Sequence, residues 1–174
     1  MFSLIISIIS IALVAALAAA TVYFGGAAFN KGSAGADAST FINAGQQIAG
    51  AFTLASADGY TASTVAALND GSLGEKTTGA KDGEVYLAQI PSYKGTGLDG
   101  LVTEGSAEYS VSKVSDLVCA EIVKRADGVD ATIATQATFK PANLYGCVIS
   151  TSVVTPSTGS ATEAGDHVAF YKVK

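Results

Sequence analysis

Residues 1–30 read MFSLIISIISIALVAALAAATVYFGGAAFN, and the first charged side chain of the chain is Lys31. At about 1.5 Å per residue a helix over Met1–Phe24 spans roughly 36 Å, against a bilayer hydrocarbon core of about 30 Å. A secretory signal peptide has a basic n-region and a shorter apolar core before its cleavage site. The basic region is missing here, although Ala15–Ala20 has the small-residue character of a cleavage context. A plain single-pass anchor carries flanking Lys or Arg that set its orientation, and none precedes this one. The bare flank predicts that Met1 is a processed terminus.

Within this segment Ser3, Ser7 and Ser10 recur at helical spacing. Ala12, Ala15, Ala16 and Ala19 continue the run with small side chains, which let helices approach closely. A lipid-facing helix would also tolerate such serines, because their hydroxyls bond back to their own backbone. Gly25 and Gly26 follow, each weakening a helix by about 1 kcal/mol relative to Ala. The pattern then resumes as Ala34, Ala38, Phe41, Gly45, Ile48 and Phe52, with Ile42 and Ala49 broadening the stripe. One helix is therefore expected from Phe2 to about Leu54, with a point of interruption near Gly25. Its first half is apolar all round, and its second half is amphipathic and must pack on something.

The remaining sequence is rich in Gly, Ala, Ser, Thr and Asp and carries all the charge, a net −5. That balance argues against nucleic acid as a partner through a basic face. The pair Lys124 and Arg125 reads as a solvated helix end. Two cysteines, Cys119 and Cys147, without a CxxC, suggest one disulfide in an exported chain. Asp-Gly pairs at 58–59, 70–71, 82–83, 99–100 and 127–128 mark tight turns. Between them, Glu84–Ile90, Glu108–Val114, Ala131–Phe139, Gly146–Val154 and His167–Val173 are strand candidates. SDLVCAEIVKRADG, residues 115–128, reads as a short helix capped by Ser115 or Asp116, and Ser63–Leu68 as another. The expected class is α+β: a long N-terminal helix packed against an antiparallel sheet, with residues 1–29 as a hydrophobic helix and 30–174 as a globular part.

Signals for chemistry are weak. GTGLDG, residues 95–100, has spaced glycines but lacks a preceding buried strand and a following helix, so it reads as a turn. His167 is the single histidine and suits a strand face. Serine appears in no nucleophile-elbow pattern, and the Asp-Gly turns miss calcium-loop spacing, with DGVD at 127–130 the nearest approach. No catalytic, cofactor-binding or metal-ligating residue is expected. Tyr23, Phe24, Phe41 and Phe52 read as packing residues.

The order of parts resembles the type IV pilins, most closely the type IVb kind that includes the toxin-coregulated and bundle-forming pilins. The matching features are an apolar helix that starts at Met1 and becomes amphipathic, a glycine-rich middle, EYSVSKVSDLVCAEIVKR with the first cysteine, Cys147, and the closing HVAFYKVK. The resemblance implies that a prepilin peptidase cuts before Met1 and that Met1 is N-methylated. It implies an inner-membrane subunit that assembles into a homo-oligomeric, helical extracellular pilus. Phe2, Ser3, Ile5, Ser7, Ser10, Ala12, Ala16 and Ala19 would pack in the filament core. Surface loops around 58–83 and 155–166 would face solvent or neighbours. The family places a glutamate at the fifth mature position to pair with a neighbour's terminal amine; this chain has Ile5. Gly25–Gly26 would be the weak point where the helix lengthens under load. The other expectations are a minor or tip pilin, a secretion-system pseudopilin, or an unrelated membrane-anchored binding domain.

Overall fold

A computed structural model of the chain describes residues 2–73, 84–94, 96–104, 106–128, 132–136, 139, 143–157 and 161–174, without the side chains of Phe2 and Ala27. Helix α1 runs Phe2–Ala57 without a break, through Gly25 and Gly26. The interruption expected near Gly25 is not seen in the subunit. Six of its hydroxyls, those of Ser7, Ser10, Thr21, Ser39, Thr40 and Thr53, bond back to carbonyls inside the helix. Ser7 donates to the Ser3 carbonyl at 3.0 Å, Ser10 to Ile6 at 2.8 Å and Thr53 to Ala49 at 2.8 Å, so they demand no outside partner. α1 stops at Asp58-Gly59. Gly59 takes a left-handed φ of 88°. Its N–H bonds Ser56 O at 3.0 Å, and Tyr60 N–H reaches back to Ala55 O at 2.9 Å. These two bonds satisfy the last orphan carbonyls.

α2 (Val65–Asp70) follows, its start fixed by the Thr64 hydroxyl accepting from Ala67 N–H. A two-residue-strand hairpin comes next, β1 (Ser92–Tyr93) with β2 (Thr96–Gly97). The main sheet holds β3 (Leu101–Glu104), β4 (Ala107–Lys113), β5 (Ala134–Gln136), β6 (Tyr145–Ser150) and β7 (His167–Lys172) in the order β3-β4-β7-β6-β5. Every neighbouring pair is antiparallel except β5–β6, which is parallel. α3 (Asp116–Asp127) packs against both α1 and the sheet, beside the place where α1 itself meets β7, and is tied to β6 by the Cys119–Cys147 disulfide, Cα–Cα 5.4 Å. Alternation along β7 assigns its two faces. Ala169 and Tyr171 join the core under α1 and α3, with Phe41, Ile48, Val118 and Ile122. Val168 and Phe170 face a second core with Tyr109, Val111, Phe139 and Val154. The sheet is buried on both sides, so the middle strand β7 reads as a continuous apolar run from Val168 to Tyr171.

The strand expected at Glu84–Ile90 does not form. Tyr86 and Leu87 N–H groups both bond the Leu68 carbonyl at 2.9 Å, and Asn69 Nδ2 donates to Leu87 O. The segment is held by the end of α2 instead of by a strand edge. Leu87 fills the core, and the Tyr86 hydroxyl lies 2.7 Å from Asp58 and 2.9 Å from Glu84. Of the strand expected over Ala131–Phe139, the described residues show β5, while residues 131, 137 and 138 lie outside the described residues. β6 ends at Ser150, and Val154 makes only an isolated bridge to Thr162. β3 and the β1–β2 hairpin had no counterpart among the expected strands. The 58–83 loop is not all surface, since Tyr60, Val65, Leu68 and Leu73 are buried.

Candidate functional site

The feature that sets this fold apart is where α1 stops having neighbours. The buried stripe of α1 begins at Ala34 and continues through Ala38, Phe41, Ala44, Ile48, Ala51, Phe52 and Ala55. Before Ala34 every described side chain of the helix is exposed. Leu4, Ile5, Ile6, Ile8, Ile9, Ile11, Leu13, Val14 and Leu17 stand open, with Ile11 71% and Leu4 69% exposed, and Phe24 and Phe29 likewise bare. Fully burying those nine aliphatic side chains, at about 1.5–3 kcal/mol each, is worth on the order of 14–27 kcal/mol. That equals or exceeds the whole stability of an ordinary domain, roughly 5–15 kcal/mol. Such a surface belongs in a bilayer or against other apolar helices.

This segment is the described helix long and apolar enough to cross a membrane, by length and composition. Of the residues expected to pack, Ser3, Ile5, Ser7, Ser10, Ala12, Ala16 and Ala19 all project from the bare half of α1. Phe2 lies on the same helix, and Met1 falls outside the described residues. Stepping about 100° per residue puts the three serines on one side of α1. Ala12, Ala15, Ala16 and Ala19 fall on the opposite side, so the small residues form two opposed stripes and not one continued run.

At the exit of α1 from the globular part the hairpin and α3 converge. Lys94, in a left-handed turn at φ 48°, places its ammonium 2.7 Å from Asp37. The hydrogen bond to Asp37 raises the Lys94 pKa above its usual value, and burial raises that of Tyr93. Arg125 Nη2 donates to the Gly35 carbonyl at 3.0 Å. Neither contact was legible in the sequence, since the partners lie 57 and 90 residues apart. His167 sits on β7 with Nε2 3.2 Å from Asp116. Among the described residues no group of three or more His, Cys, Asp or Glu side chains is placed to hold a metal ion. Of the loose calcium candidate DGVD, residues 129 and 130 lie outside the described residues.

The chain is thus an α+β protein whose single long helix is both the spine of its globular part and a bare segment of membrane-spanning length. The long helix, the mostly antiparallel sheet and the disulfide are compatible with a pilin-like fold. Comparison with known proteins gives no match, whether to a family model, to a curated protein or to a solved structure.

Proposed function

We propose that this chain is a structural subunit, a major pilin of the type IV kind, that polymerises through the bare half of α1 into an extracellular filament. The observation that carries the reading is the unbroken run of α1 from a fully exposed apolar half into the core of the globular part. A rigid spine of this kind ties a polymerising segment to the domain it displays. In this reading the apolar half rests in the inner membrane before assembly and packs on copies of itself afterwards. Lipid and a bundle of apolar helices are similar solvents, so transfer is nearly balanced and an assembly motor drives extraction. In this reading a prepilin peptidase processes the subunit before assembly. No cofactor or catalytic step is required.

Ile5 favours a second reading. A terminal amine packed in an apolar core without an acid is costly, and a minor or tip subunit has fewer neighbours to satisfy. Electron microscopy of sheared surface material from producing cells, with mass spectrometry of the subunit terminus, tests both. Abundant fibres of this chain alone support the major pilin. Incorporation only at fibre ends supports the tip subunit. The absence of fibres overturns both and leaves a membrane-anchored binding domain.

A further inference from the structure

The chain is acidic, yet cations gather where α1 leaves the globular part. Lys31 is exposed on the last bare turn of α1. One turn later the Arg125 guanidinium is fastened to the Gly35 carbonyl, and exposed Lys124 precedes it in the last turn of α3. Lys94 reaches the same level through Asp37 and neutralises that carboxylate. Among the described residues at this end of α3 the acids are Glu121, half-buried one turn before Arg125, and Asp127, which accepts from Asn143 Nδ2 at 2.8 Å. Among the described residues neither Lys31 nor Lys124 is in an ion pair.

We propose that this collar docks on anionic lipid headgroups while the bare half of α1 lies in a bilayer. The inference rests on the membrane stage of the proposed function and names the lipid surface it meets. Axial distances carry it. Phe2–Phe24 rises about 35 Å, which fills the hydrocarbon core at a modest tilt and leaves Tyr23 and Phe24 at the interface. Lys31 then stands about 10 Å beyond Phe24. The headgroup layer is roughly 5–8 Å deep, and a lysine stem can lean back to its phosphates. Gly35, with Arg125 upon it, lies about 6 Å further, within the Debye length of about 8–10 Å over which surface charge attracts cations. The collar is built from three separate elements, and only folding brings them together.

The test uses the full chain reconstituted in phosphatidylcholine vesicles containing spin-labelled phosphatidylglycerol or spin-labelled phosphatidylcholine. The expected result is that the protein's lipid shell favours phosphatidylglycerol by about fivefold, the factor one surface cation supplies. That preference falls towards parity in a Lys31→Gln/Lys124→Gln double variant and in high salt. Both side chains are exposed and, among the described residues, in no ion pair, so the variant is expected to keep its fold. Lys174→Gln makes a charge change at the other end of α1, beside Ala62, and leaves the preference unchanged. Equal association of the two lipids, or a preference indifferent to the double variant, overturns the inference while leaving the filament reading intact. Failure of the chain to insert at all overturns the membrane stage and the inference with it.

Discussion

Gly45 of α1 lies flat against Tyr171 of β7: a Cβ at position 45 would stand 2.3 Å from Tyr171 Cγ and 2.7 Å from its Cβ. Here the helix backbone sits directly on the sheet, and Tyr171 in turn stacks on Tyr145 with ring centroids 6.0 Å apart and planes 9° apart. The ring is buried, so it can move aside only by displacing its neighbours.

Gly45→Ala is therefore expected to destabilise the chain despite its better helix propensity. The propensity gain is about 1 kcal/mol. Overpacking a fixed ring costs about 1–3 kcal/mol and can exceed that when backbone must shift. Gly50→Ala is the control, because a Cβ there meets nothing within 4 Å, and it should stabilise by up to about 1 kcal/mol. Urea midpoints of the two variants in the same detergent should move in opposite directions. A stabilised Gly45→Ala would show that α1 does not sit on β7 as described.

How far the sequence carries follows from such contacts. The period of Ala34, Ala38, Phe41 and Ile48 was enough to place α1 and its buried face. The short apolar, aromatic-rich run of HVAFYK was enough for β7, because both features are local. Glu84–Ile90 alternates just as well, yet it fails as a strand because the Leu68 carbonyl claims its N–H groups. No period within seven residues reports a competitor sixteen or more residues away. β3 was missed because LVTE is too short to alternate convincingly. Of the five Asp-Gly pairs, 58–59, 70–71 and 127–128 turn out to end helices. The dipeptide marks a chain reversal but not the element being reversed. The bare half of α1 was legible because its signal is composition alone. The cationic collar was not, since it depends on the tertiary meeting of Lys31, Lys94, Lys124 and Arg125.

Reducing the Cys119–Cys147 bridge should lower stability without erasing the fold. The two cysteines are 28 residues apart, and closing a loop of that length stabilises by about 3.5 kcal/mol on the chain-entropy account. Both sulfurs lie in the core under α1, so a Cys119→Ala/Cys147→Ala variant adds a small cavity loss. Thermal unfolding with and without reductant measures the difference. An unchanged midpoint would mean that the bridge spans a segment already ordered in the unfolded chain.

Acid should loosen the far end of β7. The Lys113 ammonium, 2.7 Å from Asp166, and the Glu163 N–H that Asp166 accepts both hold its pKa below the usual 3.8. Asp70 is lowered likewise by the Ser72 hydroxyl and N–H. A carboxylate lowered on folding contributes stability that is present above its unfolded value. That stability is lost as pH falls through the lower folded value. The expected profile is flat near neutrality from these groups and falls below about pH 4. Asp166→Asn should cost stability near neutral pH and converge with the parent in strong acid. Urea midpoints across that range check it, and parallel profiles would remove Asp166 from the account.

Removing residues 1–31 should yield a folded, monodisperse protein. Every described side chain the deletion takes away is exposed, and the buried stripe of α1 starts at Ala34. The bonds at the cut survive, since Arg125 grips Gly35 and Lys94 grips Asp37. The shortened α1 still spans Gly32–Ala57, long enough to persist once packed on the sheet. Circular dichroism should retain the helix and sheet signals, and light scattering should give the mass of one chain without detergent. The same variant should lose both bilayer insertion and any capacity to form fibres. An insoluble or unfolded product would mean that the bare half of α1 supports the globular part in a way its exposure does not predict. Fibres formed by the shortened chain would move the polymerising surface away from α1.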